Sequence, residues 1–324
     1  ILPRDIVDGG IKTDDISLGF FINTVIKAVS AALPDATAEL CKIIGLLIVA
    51  AILRAFGNSV FSGAIAEGTE FLSSLCVCAA SFELVSGTFD TLEKFVNDAN
   101  ALIAVLLPTL TALSAASGNV TFATSGAAVL NSAIAVLENV CASVAFPLLK
   151  ACLCISLSSA LCGSVDLSFV AAAIKKLLAY ILLFLGTVMS CVLLFQRVIT
   201  KSADTALLRG LKFSAGTFVP FVGSAIGDAM ATVSGSVGVL RSTLGITGAV
   251  IICVMAILPS AGLIVRKLFI EISGGVASAL GLSKESKFLC EMGGFIGFAV
   301  SITAFIGIFL VVSVSVLASA EVSV

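Results

Sequence analysis

Long apolar runs, nearly free of charge, recur along the chain from Ile43 to Leu53, Ala101 to Ala116, Leu177 to Phe195, Leu244 to Val265 and Met292 to Ala320. Several reach the roughly 20 residues that a helix needs to cross about 30 Å of hydrocarbon. None shows the alternation over about ten residues that a membrane barrel strand requires. The pattern therefore predicts an all-α, polytopic helical membrane protein with about seven to eight transmembrane helices. Spans are expected at 41–56, 71–89, 100–117, 123–146, 177–195, 244–265 and 292–318, and Pro147 to Gly163 reads as a further short or half-inserted helix. No clean internal repeat relates them.

Residues 1–40 are the most polar part, with three cations against six acids, and are expected outside the bilayer, leaving 41–320 as the transmembrane domain. Within this start, Leu18, Phe21, Ile22, Val25, Val29 and Leu33 recur at helical spacing, which predicts an amphipathic helix lying on the surface or on a partner. The chain begins Ile1-Leu2-Pro3, and a removed signal peptide would fit that start.

Charge placement adds one crossing. The connection from Gln196 to Lys212 carries Arg197, Lys201, Arg209 and Lys212 against Asp204, and that from Arg266 to Lys287 carries four cations, Arg266 and Lys267 among them, against Glu271 and Glu285. Such cations set topology, and both connections are expected to be cytoplasmic. A span at Leu244 to Val265 lies between them, so Phe213 to Leu240 must supply a second crossing. Twelve Leu, Ile, Val and Phe residues between Leu177 and Phe195 favour insertion by roughly 4–7 kcal/mol, whereas Phe213 to Val233 has seven and also carries Asp228. That helix needs neighbours. Gly216, Pro220, Gly223, Gly227, Ala231, Ser234 and Gly238 form a stripe of small residues on it, which suits close helix approach, with Asp228 on its flank as a polar contact. Pro220 is expected to kink it. Gly293 and Gly297 form a second, weaker Gly-x-x-x-Gly pair.

Composition agrees with a lipid solvent: 59% of residues are hydrophobic and 12% charged, about half the usual charged share. The net charge of -2 and the lack of a basic stripe argue against nucleic acid. Cys76, Cys78, Cys152, Cys154, Cys191 and Cys253 sit in apolar runs, and two residues rotate a helix by about 200°, so neither Cys-x-Cys pair faces one way. They read as small buried hydrophobes rather than metal ligands or a disulfide framework, and no cofactor is expected. The absence of histidine removes the commonest general base and every imidazole metal site. An aspartyl protease needs two carboxylates sharing a proton, and Asp228 has no second aspartate in a comparable span, with Asp90 read as lying at a helix end. Glu83, Glu138, Asp228 and Glu291 lie in or near spans and are candidates for ion coupling or for structural hydrogen bonding.

The stretch Ala203-Asp204, Leu208-Arg209, Lys212-Phe213, Phe218-Val219-Pro220, Val222-Gly223 and Asp228-Ala229 resembles the stage III sporulation protein AE family of endospore-forming bacteria. The chain departs from the family pattern at Thr205 and Phe221. Leu107-Pro108, Pro147-Leu148 and Leu258-Pro259 extend the resemblance along nearly the whole length. The resemblance implies a multipass subunit, structural or channel-forming, of the secretion-like complex that joins mother cell and engulfed forespore. It also implies partners: other membrane subunits, a secretion-type ATPase, ring-forming proteins and a forespore-side protein. The membrane would be the mother-cell one around the forespore, with the acidic start facing the intermembrane space. A stand-alone secondary transporter using its intramembrane carboxylates is the alternative.

Overall fold

The computed structural model describes residues 18–60, 64–116, 127–161, 168–218 and 223–318; between 196 and 239 it describes the helical backbone alone. Every described element is helical, and the chain runs α1 (Leu18–Val60), α2 (Ala64–Ala116), α3 (Ala127–Val140), a π-turn (Cys141–Ala145), α4 (Phe146–Leu161), α5 (Ser168–Phe218), α6 (Gly223–Ala279) and α7 (Ser283–Ala318). Six helical segments among the described residues are long and apolar enough to cross a membrane.

Seven to eight spans are not seen among the described residues, where helices continue across two of the expected breaks. Spans 71–89 and 100–117 lie in one uninterrupted helix, the 53-residue α2. The polar residues between them, Asp90 included, are ordinary helix formers, with no Gly-Pro break to stop propagation. Asp90 is thus at mid-helix rather than at a helix end. Likewise α3 and α4, the described parts of 123–146 and Pro147–Gly163, join through the π-turn without a break. Pro147 has no N–H and would clash with a carbonyl four residues back. The turn widens just before it, Phe146 N–H bonding to Cys141 O five residues back. The amphipathic start also continues directly into the first span as α1, with Ile22, Val25 and Leu33 exposed.

The basic connections are helical too. Arg209 and Lys212 lie in α5, and Arg266 and Lys267 lie well inside the 57-residue α6. The expected crossing at Phe213–Leu240 falls partly in α5, which is described to Phe218, and partly in α6, described from Gly223, with 219–222 outside the described residues. From Gly223 the helix runs on through to Ala279.

α6 and α7 make the most extensive contact, with α1 and α2 packed on α6, α2 also on α7, and α4 and α5 closing the other side of α7. Leu47, Leu92, Leu110, Leu130, Leu149, Leu178, Leu263, Phe288 and Met292 fill the core. Several buried hydroxyls bond within their own helices, as in Ser81 to Val77 O at 2.8 Å and Thr303 to Ala299 O at 2.9 Å. The Cys-x-Cys pairs divide as expected: Cys78 and Cys152 are buried, Cys76 and Cys154 exposed. Cys191 is also exposed, so Cys76, Cys154 and Cys191 are not the buried small hydrophobes they were read as.

The α6–α7 turn is a Schellman motif. Leu282 N–H bonds to Ala277 O at 2.9 Å and Gly281 N–H to Ser278 O at 3.0 Å, with Gly281 at φ +77. A side chain there meets the left-handed penalty of about 1–2 kcal/mol. Gly281→Ala is expected to lower stability by that amount and Gly281→Asn by less, read as unfolding midpoints in detergent. Equal stability of all three proteins would show that the turn does not hold the hairpin.

Candidate polar site within the bundle

In a chain this apolar, buried charge is the feature that needs a reason. The end of α1, the start of α2 and the start of α7 meet at the α6–α7 turn. Arg54, which follows the apolar run of α1, places Nη2 2.5 Å from Glu285 Oε1, and the Glu285 side chain has no exposed surface. Ser74 Oγ donates to the same oxygen at 2.5 Å and accepts from Arg54 Nη2 at 3.1 Å. Glu70 lies 3.5 Å from Arg54 and 3.1 Å from Lys284 at the more exposed rim. Glu285 Oε2 and Arg54 Nε are buried with no hydrogen-bond partner. The contact is therefore single-pronged rather than a two-pronged carboxylate–guanidinium fork. A carboxylate committed to a guanidinium and a hydroxyl is a fixed joint, and what it does chemically is hold three helices together.

Further along α6, charge recurs between helices. Arg266 Nε lies 3.5 Å from Glu39 Oε2 of α1, an ion pair without hydrogen-bond geometry, since that oxygen has no hydrogen-bond partner. Lys267 and Glu271 pair at 3.7 Å along α6. Their stems lie against α7 where glycine leaves room: a Cβ on Gly293 would sit 3.0 Å from Glu271 Cγ, and one on Gly297 would sit 3.5 Å from Lys267 Nζ. The Gly293/Gly297 pair thus admits charged side chains rather than a neighbouring backbone. On α7's other side Lys175 Nζ sits 4.4 Å from the centre of the Phe295 ring, a cation–π contact. Ser156 donates to Glu291 Oε2. Among the described residues no group of three or more Cys, Asp or Glu side chains could hold a metal ion.

Of the residues singled out in the sequence, Arg266 and Lys267 are paired as above, and Glu291 is hydrogen-bonded between helices. Glu83 and Glu138 are exposed. Gly216 falls in α5, and Gly223, Gly227 and Asp228 fall in α6, so the small-residue stripe is shared between two helices. Pro220 lies outside the described residues. Arg54, Ser74 and Glu285 were missed: Arg54 is a lone cation at the end of an apolar run, and Glu285 counted only towards loop charge.

No curated protein and no solved structure matches the chain. The family model for stage III sporulation protein AE matches residues 3–321. With six helical segments among its described residues long and apolar enough to cross a membrane, the chain is a sporulation-related membrane protein, and it belongs to the stage III sporulation protein AE family.

Proposed function

We propose that the chain is a multipass subunit of the secretion-like channel complex between mother cell and forespore, with a structural or channel-forming role and no catalytic one. It would sit in the mother-cell membrane around the forespore, with related membrane subunits, a secretion-type ATPase, ring-forming subunits and a forespore-side protein as partners. The near-complete family match carries this reading. The interhelical ion pairs support a structural role, because they hold charge in place instead of presenting it to a substrate. In this reading Gly216, Pro220, Gly223, Gly227 and Asp228 are helix-packing or channel contacts, and Arg209 and Lys212 bias the sidedness of their end.

A tagged chain isolated from sporulating cells is expected to bring the other membrane subunits and the ATPase with it. Gly227→Leu is expected to lose that recovery while still inserting. Recovery of the chain alone, with sporulation unaffected by its deletion, would sink the proposal. The half-buried Glu291 is the observation that favours a stand-alone carrier. Proton-driven substrate uptake by vesicles holding this chain alone would establish that second reading.

A further inference from the structure

Two contacts fix the register of α2 against α7. Lys284 lies 3.1 Å from Glu70 at one end, and Leu106 and Val314 meet at Gly248 of α6 towards the other, 3.0 and 3.5 Å from where its Cβ would stand. Interpolating between them along two helices places Asp90 to Asn97 level with about residues 301–307 of α7. That is the middle of α7's apolar segment, Ser283–Val316. The same level includes Ala256 of α6, beside Gly307, and Gly186 of α5, beside Phe305. Three apolar helices therefore set the mid-membrane depth independently of α2.

At that depth the exterior is of two kinds. On α5 and α7, Leu183, Phe184 and Ile308 are 70%, 69% and 65% exposed, as befits a lipid-facing surface. On α2, Glu83, Ser86, Asp90, Glu93, Lys94 and Asn97 are exposed. Their spacing of three and four residues puts them on one side of the helix. The opposite side, through Val85, Leu92, Phe95, Val96 and Ala99, is buried in the core. No residue of this stripe is ion-paired among the described residues. Ionised side chains at mid-membrane depth face a protein interior or a water-filled cavity, because hydrocarbon does not solvate them. On α2 they face outward.

We propose that the outer face of α2 from Glu83 to Asn97 lines a water-filled path at mid-membrane depth, and that three carboxylates against one lysine make this path favour cations. The inference rests on the reading of the chain as a membrane-embedded subunit. It goes beyond that reading by naming the helix face that meets the aqueous phase.

Ser86→Cys and Asn97→Cys leave the charges untouched. In the full chain in native membranes, both thiols are expected to react with a membrane-impermeant cationic thiosulfonate about tenfold or more faster than the native Cys191, which is exposed on α5's apolar surface. They are also expected to react roughly threefold faster with that reagent than with its anionic counterpart. Site-by-site mass spectrometry reads all three positions in one sample. Introduced thiols as slow as a silent Cys191 would overturn the aqueous path while leaving the membrane reading intact, and the same result would follow if another polypeptide sealed the face. Equal rates with both reagents would overturn the cation preference. A Cys191 as fast as the introduced thiols would overturn the membrane reading as well.

Discussion

Glu285→Ala is expected to destabilise the protein by about 3–5 kcal/mol, the loss that follows when one partner of a buried ion pair is removed. The Glu285 side chain is fully enclosed and that of Arg54 is 17% exposed, so solvent gives the stranded guanidinium little relief. Glu70 at 3.5 Å and 42% exposure is too distant and too wet to replace the lost carboxylate. Ser74→Ala removes one hydrogen bond to a charged group and should cost less, roughly 1.5–3 kcal/mol. The double variant Arg54→Met with Glu285→Leu is expected to recover most of the single loss, since it leaves no uncompensated charge. Equilibrium unfolding of the parent and these three variants in mixed micelles provides the comparison. A loss below about 1 kcal/mol for Glu285→Ala would mean that the joint does not hold the hairpin to α1 and α2.

What the sequence made legible was set by solvent. The runs Leu177–Phe195 and Leu244–Val265, and the last one from Met292 to Val316, coincide with helices long and apolar enough to cross a membrane because a long apolar stretch has few alternatives to a spanning helix. Where one helix stops was much less legible. Asp90, Glu93 and Lys94 looked like a loop between two spans because they are charged, yet charge opposes insertion without opposing helix formation. The same confusion turned Arg266–Glu271 into part of a loop, although Arg266 finds Glu39 on a packed helix and Lys267 pairs with Glu271 along α6 itself. Sequence patterns report whether a residue prefers lipid, whereas its partner in space comes only from the packing, and Arg54 and Glu285 lie 231 positions apart.

The glycines show the same limit. Gly293 and Gly297 have the spacing associated with close helix approach. In the structure the glycine of α7 that lies tightest against α6 is instead Gly307, an isolated glycine in an apolar run. A Cβ there would stand 2.6 Å from Ala256 Cβ. Nothing in Ala304-Phe305-Ile306-Gly307-Ile308 marks that position, because the need for glycine comes from the helix opposite.

Gly307→Ala and Gly45→Ala, the same change in two helix interiors, are therefore expected to act with opposite sign. Around Gly45 nothing lies within 4 Å of an added Cβ, and alanine holds a helix better than glycine, so that variant should gain about 0.5–1 kcal/mol. At Gly307 the same gain is available but is overwhelmed. Ala256 Cβ is fixed to its backbone and cannot swing aside, so the two helices must separate along the largest interface in the bundle. Overpacking of this kind costs about 1–3 kcal/mol, and Gly307→Leu, which carries more volume into the same gap, should exceed Gly307→Ala. Unfolding midpoints for the three variants in one detergent provide the comparison. If Gly307→Ala proved as stable as Gly45→Ala, the helices would not approach so closely at that level. The level at which Ala256 of α6 stands beside Gly307 of α7 would then need to be redrawn.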